Sequence, residues 1–563
     1  MFNISAKDVT VEAYREAIAK AANLWSAFDP QGAYELQQLS AQANTLAECL
    51  KVYDALSVLI NFGTAGVRAP MAPGPNRMNS ATVAIVATSV ASYLKSAHTT
   101  NAGVVVGYDA RLNSETYAKV VVNSLAQAGL KVFLFNTPCP TPLLAFAVKD
   151  MGLDAGIMVT ASHNPKTDNG LKVYMSDGRQ IVSPTDTLIY GFMQDTYASG
   201  KPLRLESTIP VNVVMLDIST AQKYINRVLF RPSRVPVIPP DNLLKVAWTP
   251  LHGVGGDVLE EILDSLPYAR HYCVLSQREP DGNFPSTPFP NPELEEATSE
   301  LSILAKDICA DVAVCLDPDA DRLCVLVKPE TPGSLYVKLS GDTVGALIFW
   351  YMHMCGYITP GQTVASSIVS SRLLGEMAKR YGYTHCSTLT GFKHLTRAQD
   401  VVYAYEQACG YCVDPIAVSD KDGMSACFMF LELCAYLKSV DKSIWDLSRE
   451  LDSIFGSYRQ QQLSLPIGSL TDISALLAAF NVLSIPSVRV IDYQPPTAPQ
   501  VAVASLEFLE VPTGNKVYIT CRPSGTEPIV KVYIEVSGKD STLVGSALSI
   551  VSSALESFLL QYS

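Results

Sequence analysis

Apolar positions along the chain recur in one rhythm: a short β-branched or aliphatic run, a stretch with apolar positions three and four apart, then a second short run. It occurs in "GVVVGYDARLNSETYAKVVVNSLAQAGLKVFLF" (103–135), "LKVAWTPLHGVGGDVLEEILDSLPYARHYCVL" (244–275) and "TVASSIVSSRLLGEMAKRYGYTHCSTL" (363–389). Each reads as strand, helix, strand, and alternation of this kind predicts right-handed crossovers in mixed or parallel sheets. In each segment a later apolar strand runs into a loop of chemically capable side chains: "GIMVT" into "ASHNP", "DVAVCL" into "DPDADR", "VVYAY" into "EQACGY". The pattern predicts three similar α/β domains with mixed sheets, each giving a loop to a shared central cleft.

The C-terminal part has a different period. "VYITC" and "IVKVYIEV" alternate, and "STLVGSALSIVSSALESFLLQY" is helical in pattern, which predicts a smaller α+β fourth domain serving as a mobile lid. Pro-rich stretches ("FRPSRVPVIPPD", 230–241, and "VKPETPGSLYVK") mark joints. The expected domain boundaries are 1–207, 208–330, 331–450 and 451–563. Near the N-terminus "VEAYREAIAKAANLW" reads as a helix.

At 563 residues, 48% of them hydrophobic, the chain exceeds what one core can hold and should be globular throughout. With 42 basic against 54 acidic residues the net charge is −12, and no basic run offers a surface to nucleic acid or an anionic membrane. An anionic ligand must therefore meet a local basic pocket. The apolar run "VGALIFWYMHMCGYI" (344–358) is short for a membrane span and reads as a buried helix. The first twenty residues lack the pattern of a secretory leader, and thirteen cysteines without a framework fit a reducing cytoplasm. "CGYC" (Cys409, Cys412) has redox or half-zinc spacing, but no second pair accompanies it, so these cysteines are read as structural.

The loop "TASHNPKTDNGLKVY" (160–174) sets Ser162 beside His163 between two apolar strands, with Asn164-Pro165 and Asp168-Asn169-Gly170 as turn formers. By itself it fits an ordinary connection as well as a nucleophile site. "DPDADR" places Asp317, Asp319 and Asp321 at alternate positions, which share one side of an extended chain. Three such anions call for a hard cation, Mg²⁺, Mn²⁺ or Ca²⁺, and Arg322 beside them suits a phosphate group. An EF-hand is excluded: the sixth position is Arg322 where glycine is needed, and the twelfth is Lys328 where glutamate is needed. "RPSGTEP" (522–528) can form an oxyanion nest or an ordinary turn, and "FGTAGVR" (62–68) is equally open.

Taken in order, "TASHNP", "DPDADR" and "RPSGTEP" resemble the α-D-phosphohexomutase superfamily. "FGTAGVRAPM…NRMN", "WTPLHGVGG" and "FPSTPFPNPE" are similar to its phosphoglucomutase-2/phosphopentomutase branch. The resemblance spans residues 60 to 540. It implies that Ser162 is the phosphorylated nucleophile with His163 beside it, and that Asp317, Asp319, Asp321 and the Ser162 oxygen hold Mg²⁺. It further implies Lys172 as general acid/base, Arg68 facing the phosphoserine and Arg322 as an anion contact. Thr390, Lys393, Glu406 and Lys421 fall where the family contacts the sugar and its phosphate, and Arg522, Ser524, Gly525 and Thr526 match the loop that grips the phosphate not being transferred. Where many hexomutases have "GEESG" or "GEMSG", this chain has Glu406-Gln407-Ala408 and lacks a sugar-binding serine hydroxyl, as do relatives with "FEEAIG".

The expected activity is that of a cytoplasmic phosphoglucomutase. It would interconvert glucose 1-phosphate and glucose 6-phosphate through a phosphoserine enzyme, with glucose 1,6-bisphosphate as intermediate and activator. A phosphopentomutase acting on ribose 1-phosphate and ribose 5-phosphate, or a glucose 1,6-bisphosphate synthase, would use the same residues. A silent sugar-phosphate scaffold is disfavoured, because it has no need for clustered acidic charge. The expected partner is a small phosphorylated sugar, and no sequence signal bears on oligomeric state.

Overall fold

The computed structural model describes residues 10–63, 66–97, 103–206, 208–230, 233, 235–331, 333–466, 488–492, 504–508, 515–523 and 529–559. It divides into two compact units: Met1–Pro329 with Gly333–Leu339 and Gly410–Glu432, and Ser340–Cys409 with Leu433–Ser563 and the short Glu330–Pro332.

The first unit begins with helices Val11–Trp25, Pro30–Gln42 and Leu46–Ser57, capped by Thr10, Asp29 and a reciprocal Thr45/Glu48 box. Their apolar face joins the core of the first sheet, with Trp25 and Phe28 packed on Tyr197. That sheet contains β1 (Val67–Pro70), β2 (Val104–Tyr108), β3 (Val132–Phe135), β4 (Ala155–Val159), β5 (Asp168–Met175) and β6 (Val214–Leu216), in the order β1-β5-β4-β2-β3-β6. β4, β2, β3 and β6 run parallel, while β5 is antiparallel to both β4 and β1. β2, β3 and β4 are buried along their whole length, so they read as unbroken apolar runs rather than alternating ones.

Asp168-Asn169-Gly170, expected as a turn, instead opens β5. These residues pair with Pro70, Ala69 and Arg68 of β1. Gly170 permits this close approach, since a β-carbon there would lie 2.3 Å from the Val67 carbonyl oxygen.

The second sheet contains β7 (Leu244–Thr249), β8 (Ala269–Cys273), β9 (Val312–Leu316), β10 (Leu323–Val327) and β11 (Val337–Lys338), ordered β11-β10-β9-β7-β8. β7 and β8 are parallel across helix Gly256–Asp264, and β9 returns antiparallel as β10 with Leu316 opposite Leu323. The aspartate-bearing residues form this hairpin's turn.

In the second unit β12 (Thr363–Ser367), β13 (Thr384–Thr388) and β14 (Val401–Glu406) are parallel in the order β13-β12-β14, again around a crossover helix, Leu373–Tyr381. Helix Gly341–Met354 is buried along most of its length, as its apolar run predicts. Between β13 and β14 the chain makes a single helical turn, Phe392–Leu395. β15 (Gly410–Cys412) returns the chain to the first unit. The fourth sheet, β16 (Ser457–Pro466), β17 (Val488–Asp492), β18 (Ala504–Phe508), β19 (Lys516–Pro523) and β20 (Ile529–Gly538), is antiparallel throughout, ordered β16-β20-β19-β18-β17, and helix Ser541–Leu559 follows it. The architecture is three α/β domains plus this smaller antiparallel-sheet domain. Among the described residues no single helix is long and apolar enough to cross a membrane. Cys409 and Cys412 are both buried, and neither forms a disulfide.

Candidate active site

The Ser162 loop joins β4 to β5, and the β4–β5 register places Lys172 opposite Met158. Ser162 holds φ +53°, a left-handed conformation that costs a residue with a β-carbon roughly 1 to 3 kcal/mol. Its amide donates to Thr160 Oγ1 at 2.8 Å, and its hydroxyl donates to Asp317 Oδ2 at 2.8 Å. His163 Nδ1 lies 3.2 Å from the same hydroxyl oxygen. Arg68, aligned with Gly170 on β1, donates to Asn164 Oδ1 at 3.3 Å. Ser162 is therefore a buried, tethered hydroxyl rather than a free turn residue.

Asp317, Asp319 and Asp321 converge, although not along an extended strand as expected. Ala320 adopts φ +60°, and its amide closes a turn onto the Asp317 carbonyl at 2.8 Å. The Arg322 amide then donates to Asp317 Oδ1 at 2.9 Å. One carboxylate oxygen from each aspartate lies within 4.8 Å of the others, and all three residues are buried. Lys172 Nζ donates to Asp319 Oδ2 and Asp321 Oδ2, each at 2.6 Å. Lys421 Nζ lies 3.1 Å from Asp321 Oδ2, and Thr141 Oγ1 donates to Asp319 Oδ2 at 2.5 Å. Arg322 stands further off, 3.9 Å from Asp321 Oδ1.

This packing separates the three carboxyl groups electrostatically. Burial, then the charges of Asp319 and Asp321, pushes Asp317 well above the usual carboxylate range. Burial also acts on Asp321, but Lys172, Lys421 and Arg322 outweigh it and hold Asp321 well below that range. Asp319 is likewise lowered: burial and the Asp321 charge oppose, while Lys172 and Thr141 prevail. Burial, reinforced by Arg322 and Arg68, drives the His163 imidazole far below its ordinary value, so the ring is neutral at pH 7.

The donor set fits a divalent cation. Asp319 Oδ1 and Asp321 Oδ1 are buried with no hydrogen-bond partner among the described residues. Two orphaned anionic oxygens beside a third carboxylate suit a hard, oxygen-seeking metal ion, so the triad could bind one.

The first unit thus brings together Arg68, Ser162, His163, Lys172, Asp317, Asp319, Asp321, Arg322 and Lys421. In the second unit Thr390, Lys393 and Glu406 gather at the ends of β13 and β14, with the Glu406 carboxylate accepting from the Gly391 amide. Arg522 lies on β19 opposite Lys531, while Ser524, Gly525 and Thr526 fall outside the described residues.

Four contributors escaped sequence reasoning. Thr141 tethers Asp319 by side chain and backbone. Asp420, which accepts from Tyr174 and Gln180, and Asp422, which accepts from Tyr224, anchor the turn carrying Lys421. Arg111 lies beneath the serine loop. Arg111 has only its place just after the apolar run of β2 to mark it, which does not reveal its backbone partners.

Residues 59–199, 222–330 and 340–453 match the family models for phosphoglucomutase/phosphomannomutase alpha/beta/alpha domains I, II and III. A protein named "Probable phosphomannomutase" from Haemophilus influenzae is 36% identical over 82% of this chain and 94% of its own length. A phosphoglucomutase of Staphylococcus haemolyticus is 31% identical over 84% of this chain and 90% of its own, and a phosphopentomutase of Mus musculus 31% identical over 91% and 89%. The phosphoglucomutase pp63/parafusin of Paramecium, in its open form, shares the fold with a TM-score of 0.67 at 18% identity, covering 90% of this chain and 96% of its own. The chain belongs to the phosphoglucomutase/phosphomannomutase family, within the α-D-phosphohexomutase superfamily. It is a phosphohexomutase, an intramolecular phosphotransferase.

Proposed function

We propose that this phosphohexomutase is a cytoplasmic phosphoglucomutase, interconverting glucose 1-phosphate and glucose 6-phosphate through phosphorylated Ser162 and glucose 1,6-bisphosphate. The observation that carries the mechanism is the Ser162 hydroxyl, 2.8 Å from Asp317 and bordered by two further buried carboxylates, a lysine and a neutral histidine. Phosphoryl transfer needs in-line positioning and charge neutralisation more than covalent help. Asp317, Asp319 and Asp321, with the Ser162 oxygen, would hold Mg²⁺, which when bound supplies positive charge to the phosphoryl oxygens.

Arg68 and Arg322 lend further positive charge beside Ser162. Lys172, beside Asp319 and Asp321, is our candidate for the general acid/base at the reacting sugar hydroxyl. Thr390, Lys393, Glu406 and Lys421 take the sugar, and Arg522, Ser524, Gly525 and Thr526 the distal phosphate. Residues 1–207, 208–330, 331–450 and 451–563 thereby divide the serine, metal, sugar and phosphate roles.

The choice of glucose rests on the phosphoglucomutase relatives. A pentose substrate is the second reading, supported by the mouse phosphopentomutase and by Glu406-Gln407-Ala408 lacking a serine hydroxyl. Turnover of glucose, mannose and ribose 1-phosphates at matched concentrations tests the assignment. The highest kcat/KM is expected for glucose 1-phosphate, and a preference for ribose 1-phosphate would overturn it in favour of the pentomutase.

A further inference from the structure

Arg111 is 3% exposed, three residues beyond β2, and its guanidinium is spent on backbone. Nη2 donates to the carbonyl oxygens of Ser162 and Asn164, both at 2.6 Å. Nη1 donates to those of Pro165 at 2.9 Å and Asp168 at 3.2 Å. One side chain therefore gathers four carbonyls of the serine loop, of which that of Pro165 also accepts from the Asp168 amide at 3.0 Å.

The guanidinium is held by two side chains, and the Arg111 backbone by a third contact. Asp109 Oδ2 lies 3.4 Å from Nε, and Asp109 Oδ1 accepts from the Arg111 amide and from Ser114 Oγ. Phe284 covers one face, its ring centroid 5.1 Å from the guanidinium carbon. The Arg111 backbone forms a bridge with Gly282, where a β-carbon would lie 2.5 Å from the Ala110 carbonyl oxygen.

Ser162 occupies a left-handed conformation that its β-carbon disfavours, so something must hold it there. The Ser162 carbonyl is one of the four gripped oxygens. Rotating that peptide would swing the hydroxyl away from Asp317. We propose that Arg111 is a positioning residue for phosphoryl transfer, clamping the Ser162 loop by its carbonyls so that the serine oxygen stays aligned for attack. The proposal rests on Ser162 being the phosphorylated residue. Arg111 touches no atom of the serine side chain and acts only through the loop. A lysine cannot replace it, because one compact ammonium lacks the planar fork that spans four acceptors.

The test is Arg111→Lys in the full-length chain. Misalignment of the reacting oxygen should lower kcat on the order of a hundredfold. KM should stay within about threefold, since no sugar contact is altered. Intact mass should still show a phosphoryl adduct, and the phosphoserine ³¹P resonance should shift and broaden. Wild-type kcat per folded molecule with an unchanged ³¹P resonance would overturn the proposal. If Arg111→Lys does not fold, Asp109→Asn keeps the guanidinium but removes the charge that orients it. That variant should lose roughly tenfold in kcat with KM retained and its ³¹P resonance shifted, because the clamp is loosened rather than lost. Unaltered values would overturn the proposal equally. A wild-type enzyme without phosphate on Ser162 would instead defeat the serine assignment.

Discussion

Lys172 Nζ sits 2.6 Å from Asp319 Oδ2 and 2.6 Å from Asp321 Oδ2, a buried ammonium from β5 held between two carboxylates of the β9–β10 turn. Removing it takes the ammonium from Asp319 and leaves Asp321 to Lys421 and Arg322, a loss of about 3 to 5 kcal/mol. Lys172→Met should therefore unfold at lower temperature than wild type in chelator. Added Mg²⁺ should recover part of the difference, while turnover stays at least about a hundredfold down. Thermal denaturation with and without Mg²⁺ checks this, and a variant of wild-type stability in chelator would contradict it.

Asp342 supplies a pH-dependent term in the second unit. It is buried, accepts from the Ser371 amide at 2.6 Å and the Tyr405 hydroxyl at 2.9 Å, and burial lifts it to about 7, with the Glu535 charge adding to the rise. Between the ordinary value of 3.8 and about 7 the folded state binds the proton more tightly than the unfolded state does. Stability from this group is thus full below about pH 4 and lost as pH rises to about 7. Asp342→Asn keeps an acceptor oxygen and cannot ionise. Its stability relative to wild type should improve across that window by up to about 4 kcal/mol. Denaturant titrations at several pH values read this directly, and a constant difference would contradict it.

Arg372 joins the third and fourth sheets. Its guanidinium donates to Glu535 Oε2 at 3.1 Å, lies 3.7 Å from the Tyr518 ring centroid, and its amide donates to Glu535 Oε1 at 3.1 Å. Burial raises Glu535 even with Arg372 beside it. Arg372→Met should cost about 3 kcal/mol by stranding that carboxylate. The loss should grow with rising pH as Glu535 ionises. Hydrogen exchange should accelerate first in β16 and β20, and unchanged protection there would show that the pair does not bind the sheets together.

A substrate-side prediction concerns Arg522. If its loop grips the phosphate that is not being transferred, Arg522→Ala should lower kcat/KM by about 2 to 3 kcal/mol, roughly a hundredfold. Free bisphosphate should also escape more often, because remote binding energy holds the intermediate as it reorients. Steady-state kinetics with a trap for glucose 1,6-bisphosphate measures both. Unchanged kcat/KM without leakage would place the distal phosphate elsewhere.

Local regularities were legible in the sequence and long-range backbone contacts were not. The three crossover units follow from apolar spacing, as at β2, helix Ser114–Gln127 and β3. Ser162 and the three aspartates stand out as motifs. Asp168-Asn169-Gly170 misled because propensity favours a turn there, while β1, a hundred residues earlier in the chain, captures the segment as a strand. The aspartates converge through the Ala320 turn, which alternate spacing does not encode. Arg111 was hidden because its partners are carbonyl oxygens 51 to 57 residues away, and backbone acceptors leave no side-chain signature.

The central claim is that Ser162 carries the phosphoryl group between the two ends of the sugar. Intact-mass measurement of wild type and Ser162→Ala, each paired with a glucose 1-phosphate turnover assay, tests it most directly. The account predicts a single phosphate adduct and activity in wild type, with neither in a Ser162→Ala protein that still folds and binds sugar phosphate. Near-wild-type turnover by Ser162→Ala, or an adduct that persists in it, would contradict the assignment.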